Sequence, residues 1–127
     1  MPALGYKKQF VPVLKSGLKR HSIRAQRRRP FKVGDTLMHY YGMRTKQCRK
    51  IRKDTVCVGA IFIEINAELG WVWTREKSFY YSAGRFSPKE LHDLAICDGF
   101  ESVEDFFTFF RSTHGEKFIG QLIEWQP

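Results

Sequence analysis

The chain has only three cysteines, Cys48, Cys57 and Cys97, widely spaced and without a CxxC pair. That pattern argues against a disulfide framework and for the reduced thiols of an intracellular protein. His92 and Cys97 lie within reach of one helical turn, but no second pair completes a zinc site, so no metal is expected. The N-terminus lacks the apolar core of a signal peptide, and no window approaches the roughly eighteen apolar residues of a transmembrane helix. The expected setting is the cytoplasm, with no membrane partner. Neither a GxGxxG nor a P-loop spacing is present, which removes the two common glycine-rich phosphate cradles, and no cofactor is implied.

Acidic side chains are scarce in the first part of the chain. Residues 1–54 hold 16 of the 22 Lys and Arg but only 2 of the 13 Asp and Glu, a net of +14, whereas residues 55–127 carry 6 basic and 11 acidic side chains, a net of −5. So uneven a distribution implies an anionic partner for one face, with RNA or a nucleoside or nucleotide first in line. The plainer alternative is a cationic surface that serves solubility.

What is present is ample material for a core. At 127 residues, 43% hydrophobic and with 11 Phe, the chain is sized for one domain, 1–127, rather than for a disordered basic tail. Phe10 to Leu14 reads as a short apolar strand or turn, which Pro12 places at an edge. His21 to Ala25 reads as another extended piece, followed by the basic loop Gln26 to Pro30. Thr36 to Tyr41 is a strand launched by a Gly34-Asp35 turn, and Arg44 to Lys53, if extended, lays cations on a sheet face or rim. Val56 to Ile65, apolar on both faces and rich in β-branched residues, predicts a central strand. Trp71 to Trp73 begins a further strand, and Phe79 to Tyr81 either continues it or forms a separate short one.

Helices are expected near the C-terminus. Ser87-Pro88-Lys89-Glu90 combines an N-cap serine, a proline at the first helical position and a glutamate that closes a capping box. That helix runs to about Cys97 and stops near Gly99. A second starts at Ser102, buries several of its phenylalanines and ends at His114-Gly115. Lys117 to Trp125 closes the chain as a strand. Strands first, then helices, then one strand predict an α+β domain: a small mixed or antiparallel β-barrel with flanking helices, two of them near the C-terminus.

Gly17-x-Lys19-x-x-Ser22-x-Arg24 resembles the GxKxxTxR signature of the ASCH domain, a small β-barrel of the PUA-like group associated with RNA. The Gly34-Asp35 turn, the Arg44-Thr45-Lys46-x-Cys48-Arg49 segment, the helix leading into Asp98-Gly99-Phe100 and the final strand agree in order, so the resemblance spans about Phe10 to Trp125. It implies an RNA- or nucleotide-binding domain. Some proteins that look like this remove acetate from N4-acetylcytidine, and a related one is described as a ribonuclease. The resemblance to the amidohydrolase type carries the catalytic positions to Lys19, Ser22 and Asp98, with serine standing for threonine and aspartate for a glutamate one methylene longer.

The residues themselves support a site of this kind in part. A hydroxyl nucleophile needs a base, and a lysine serves only when its pKa falls from about 10.4 towards about 7 to 8. The cations around Lys19 push that way. In a plain strand Lys19 and Ser22 point to opposite faces, so the chain must turn between them, which Gly17 permits. The ordinary fate of a Lys-x-x-Ser is a solvated lysine and a serine bonded to its own backbone. Asp98 at a helix C-terminus is opposed by the dipole, so it is either a turn aspartate ahead of Gly99 or put to another use. Arg24, Arg44, Lys46, Arg49 and Lys50 are the candidates for phosphate contact beside Gly17, and Tyr40 or Tyr41 for stacking on a base. Three functions follow: an RNA or nucleotide module, an amidohydrolase or ribonuclease using Lys19 and Ser22, and a docking protein for an acidic partner.

Overall fold

The apolar run Val56 to Ile65 lies inside the longest strand, and the other elements are arranged around it. A computed structural model describes residues 2–126. In chain order it contains β1 (Ala3–Tyr6), a 3-10 turn (Lys8–Phe10), α1 (Val11–Lys15), β2 (His21–Ala25), β3 (Thr36–Tyr41), β4 (Arg49–Asn66), β5 (Trp71–Thr74), β6 (Gly84–Arg85), α2 (Pro88–Asp98), α3 (Val103–His114) and β7 (Lys117–Trp125). The first part of β4 pairs antiparallel with β3, which pairs parallel with β1. The later part of β4 pairs with β5 on one side and β7 on the other, and β7 pairs in turn with β2. β4 is hydrogen-bonded on both edges, the central place its sequence predicts, but only one face is deeply buried: Ile63 and Ile65 are wholly buried, whereas Val56 is 56% exposed and Phe62 half-buried.

This is an α+β architecture built on one mixed seven-stranded sheet, with α2 and α3 near the C-terminus as expected. The expected barrel does not close. The ladder ends at β1, β2 and β6, and no pairing among the described residues joins those ends. β1 and β2 are therefore both edge strands.

Local corrections have local causes. Phe10 to Leu14 is not a strand: Phe10 ends the 3-10 turn and Val11–Lys15 is helical. Pro12 sits in the first helical turn, where its missing N–H costs nothing. Arg44 to Cys48 is a turn rather than strand, with Arg44 at φ 65°, and extended structure begins only at Arg49. Phe79 to Tyr81 is not a strand either, because the main-chain N–H groups of Phe79 and Tyr80 donate to the Glu124 carboxylate instead of to a ladder. The helix signals hold: Ser87 and Glu90 form a reciprocal capping box, and Ser102 caps α3 by accepting from Asp105 N–H.

The core gathers residues from every layer. Phe106, Phe107 and Phe110 of α3 and Leu94 and Ala95 of α2 pack with Phe118 and Leu122 of β7, Ile63 and Ile65 of β4 and Val72 of β5. Ile119 of β7 is 51% exposed. Gly99 follows α2 at φ 106°, a left-handed cap, and a Cβ there would meet Phe10 and Val13 at 2.9 Å. Glycine is required for both reasons. It lets α1 and the 3-10 turn close on the end of α2, which fixes where Asp98 points.

Candidate functional site

Lys19, Ser22, Arg24 and Asp98 line one cavity of about 230 Å³. It lies between the unpaired edges of β1, which supplies Gly5 and Tyr6, and β2, which supplies Ser22 to Ala25; Phe10, Phe109, Phe110 and His114 wall its other side. The cavity thus occupies the place where a closed barrel would pair β1 with β2. Lys7 contributes a further cation at the rim, 4.9 Å from the centre of the Phe109 ring.

Lys19 and Asp98 form the centre. Lys19 precedes β2 rather than lying in it, so the opposite-face problem of a plain strand does not arise. Its Nζ donates to Asp98 Oδ1 at 2.9 Å and to the Asp98 main-chain carbonyl at 2.8 Å. The ammonium therefore caps the negative end of α2 while neutralising the carboxylate, which resolves the unfavourable placement of an aspartate there. Both side chains are almost wholly buried. Burial pulls the Lys19 pKa below the ordinary lysine value against the attraction of Asp98. Burial by itself would raise Asp98, but the Lys19 ammonium and a hydrogen bond from His21 hold it below the usual carboxylate value.

His21 extends this centre. Its Nδ1 lies 3.1 Å from Asp98 Oδ1 and its Nε2 2.9 Å from the Tyr81 hydroxyl. Since a carboxylate only accepts, Nδ1 carries the hydrogen of that contact. Asp98 is thereby held from two sides by buried donors. Arg24 Nε donates to Ser22 Oγ at 2.7 Å, and the guanidinium lies 5.1 Å from the Tyr6 ring. Ser22 is engaged with Arg24, and Lys19 with Asp98, so no hydrogen bond links Lys19 to Ser22 among the described contacts.

Tyr6 ties the cavity to a second buried relay. Its hydroxyl lies 2.8 Å from His39 Nδ1, and His39 Nε2 lies 2.8 Å from Thr55 Oγ1. Burial first, then the Arg52 charge, lower the His39 pKa from 6.5 to about 4. A base with a depressed folded pKa takes up its proton later than the unfolded chain does, so stability is full above the unfolded value and falls as pH drops towards the folded one. The unfolding free energy should decrease by about 3 kcal/mol between about pH 6.5 and pH 4. Urea titrations of wild type and His39→Gln across this range test it; parallel profiles for the two proteins contradict it.

The remaining expected residues lie elsewhere. Gly17, at φ 84°, turns the chain after α1 and does not line the cavity. Tyr40 is half-buried on β3 opposite Lys50. Arg44 and Lys46 are exposed in the turn between β3 and β4. Arg49 lies over Tyr41 at 4.9 Å and lines a separate hollow, while Lys50 pairs with Asp54 at 2.6 Å. None of these residues lines the cavity. The cavity residues not expected from sequence include Tyr6, Lys7, Phe10, Phe109, Phe110 and His114, together with the supporting His21 and Tyr81. His21 lies inside the glycine-to-arginine octet, next but one to Lys19, and was the most accessible signal.

Among the described residues no group of three or more His, Cys, Asp or Glu is placed to hold a metal ion, and no helix is long and apolar enough to cross a membrane. Comparisons with protein-family models, with curated proteins and with solved structures give no match to this chain.

Proposed function

We propose that this protein binds a nucleotide, free or within RNA, in the cavity between β1 and β2, as an ASCH-like domain does. The observation that carries the reading is the convergence of Lys19, Ser22, Arg24 and Asp98 on one small cavity whose other walls are aromatic. Such a cavity has what a nucleotide needs: guanidinium and ammonium groups for phosphate, ring faces for the base, and a fixed carboxylate and hydroxyl for polar edges. The edge strands on either side add main-chain N–H and C=O groups that no ladder consumes.

Arg24 is the group to test, since it lines the cavity without belonging to the Lys19–Asp98 pair. Charge-assisted hydrogen bonds contribute about 1.5–3 kcal/mol. Arg24→Gln should therefore weaken binding of a nucleoside 5′-monophosphate about ten-fold or more and that of the unphosphorylated nucleoside much less, by calorimetry at low salt. If no nucleoside or nucleotide binds wild-type protein at millimolar concentration, the reading fails.

A second reading is an amidohydrolase acting on an acylated base such as N4-acetylcytidine, or a ribonuclease, favoured by the buried Lys19–Asp98 contact at the cavity wall. The Ser22 hydroxyl, occupied by Arg24 rather than Lys19, weighs against its use as a nucleophile. Turnover of N4-acetylcytidine that disappears in Ser22→Ala with nucleoside binding kept supports this second reading. Absence of turnover in wild type leaves the binding module.

A further inference from the structure

We propose that the outer face of β5, β6 and the C-terminal part of β4 is a second contact surface, which takes a single strand of nucleic acid by stacking bases on Trp73 and its neighbours. It extends the nucleotide reading of the cavity to a strand but rests on separate residues, none of which lines that cavity.

The register builds the face. Trp73 pairs with Glu64 of β4 and with Arg85 of β6. Strand alternation puts Trp71 and Phe62 on the same side as Trp73, while Ile63, Ile65, Val72 and Thr74 turn inward and are wholly buried. Three aromatic rings therefore form a row on the side away from the core, each half-buried. Phe62 meets Trp73 edge-on with ring centres 6.3 Å apart. The Arg75 guanidinium lies 5.5 Å from the Phe62 ring and that of Arg85 4.9 Å from Trp71. Hollows of about 280 Å³ and 220 Å³ flank the row, one bordered by Phe62 and Arg27, the other by Trp71 and Lys117.

The chemistry selects the occupant. Trp71 and Trp73 are two residues apart on one strand, roughly 6.8 Å. That is about twice the 3.4 Å rise of a stacked nucleotide strand, which leaves room for one base between successive rings. Arg75 and Arg85 lie against the rings, Arg27 and Lys117 border the hollows beside them, and Glu64 is the carboxylate paired with Trp73. A protein interface of this size concentrates apolar side chains at its centre and keeps charge to the rim. Here a guanidinium stands beside a ring at each end, the combination by which single strands are held through ring stacking and phosphate neutralisation.

Intrinsic fluorescence tests this directly, because Trp125, the third tryptophan, is wholly buried and leaves Trp71 and Trp73 as the accessible reporters. A single-stranded oligothymidylate of about twelve nucleotides should quench the emission at low salt. Trp73→Ala should weaken its binding by roughly 5- to 150-fold, Arg85→Gln should reduce the salt slope by about 0.7, and Glu64→Gln should tighten binding. Trp73→Leu, which keeps an apolar side chain but no ring, should behave like Trp73→Ala and serves where the alanine variant folds poorly. Binding of a nucleoside monophosphate in the cavity should be unchanged in these variants, just as Arg24→Gln should leave the fluorescence quench largely intact. Folded Trp73→Leu binding the oligonucleotide as tightly as wild type overturns the proposal. So does polyaspartate that binds and quenches as strongly as the oligonucleotide, since that would make the face a dock for an acidic protein. Loss of monophosphate binding alone, with the quench intact, sinks the cavity reading and not this one.

Discussion

Asp98→Ala is expected to destabilise the protein by about 3–5 kcal/mol, the effect of removing one partner from a buried, hydrogen-bonded ion pair. Lys19 is only 3% exposed, and Asp98 supplies both oxygens that its Nζ contacts. The carbonyl would survive the substitution; the counter-charge would not. His21 Nδ1 would lose its acceptor at the same time, so a buried charge and a buried donor are both left unmatched. Urea unfolding at neutral pH measures the loss, and a variant within about 1 kcal/mol of wild type contradicts a buried pair of this kind. Replacing both partners with apolar side chains, Lys19→Met with Asp98→Leu, should recover much of the stability, because a buried ion pair costs desolvation that an apolar pair does not. The double variant should nevertheless lose nucleotide binding, which would identify the pair as kept for its chemistry rather than for stability.

The same pair sets an acid limit. Asp98 is held below its ordinary value of 3.8 by Lys19 and His21 against the effect of burial. A group with a depressed folded pKa contributes stability that is present above the unfolded value and lost as pH falls through the folded one. The advantage of wild type over Asp98→Asn should therefore persist down to about pH 4 and shrink only below it. This window lies beneath that of His39, so the two contributions separate in one titration series.

Where sequence and structure agree, the determinants are local. The Ser87–Glu90 box, the acidic first turn after Ser102 and the β-branched run of β4 each specify their element within a few residues, and the strands Thr36–Tyr41 and Lys117–Trp125 have their expected limits. Distant partners account for the rest. β1 has four residues and gains its identity from a parallel pairing with β3, which no local pattern announces. Pro12 suits an edge strand and a helical first turn equally well, and packing against Gly99 selects the helix. In the site, the Gly17-x-Lys19-x-x-Ser22-x-Arg24 spacing contains three of the cavity residues, and the helix-end Asp98 is the fourth. Arg44 to Lys50 do not line the cavity, and a count of cations carries no information about which way a hairpin leads. Tyr6 and Tyr81 reach their histidines from 33 and 60 residues away, a separation that leaves no trace in either segment.

Glu124→Ala should lower stability by about 3 kcal/mol and weaken ligand binding in the cavity without touching a residue that lines it. Glu124 is wholly buried and opposes His21 across the β2–β7 ladder. Its Oε1 accepts from Phe79 N–H at 2.8 Å, and its Oε2 from Ser78 O–H at 3.0 Å and Tyr80 N–H at 3.1 Å. Three donors therefore lose their acceptor at once; Phe79 is 49% exposed, so water can recover part of the cost. The turn they build presents Tyr81 to His21 Nε2, and His21 in turn orients Asp98. Releasing the turn frees one side of that carboxylate, and a several-fold loss of nucleotide affinity should follow from misorientation alone. Glu124→Gln keeps the shape and two of the three acceptor contacts if its oxygen faces Ser78 and Tyr80, so its cost should be about 1–2 kcal/mol. Amide hydrogen exchange distinguishes this account from general loosening: Phe79 and Tyr80 should lose protection in Glu124→Ala while the β4–β7 ladder keeps it. Protection retained at those two amides would mean that the turn stands without its carboxylate, and that Tyr81 is positioned by its own packing against Phe86.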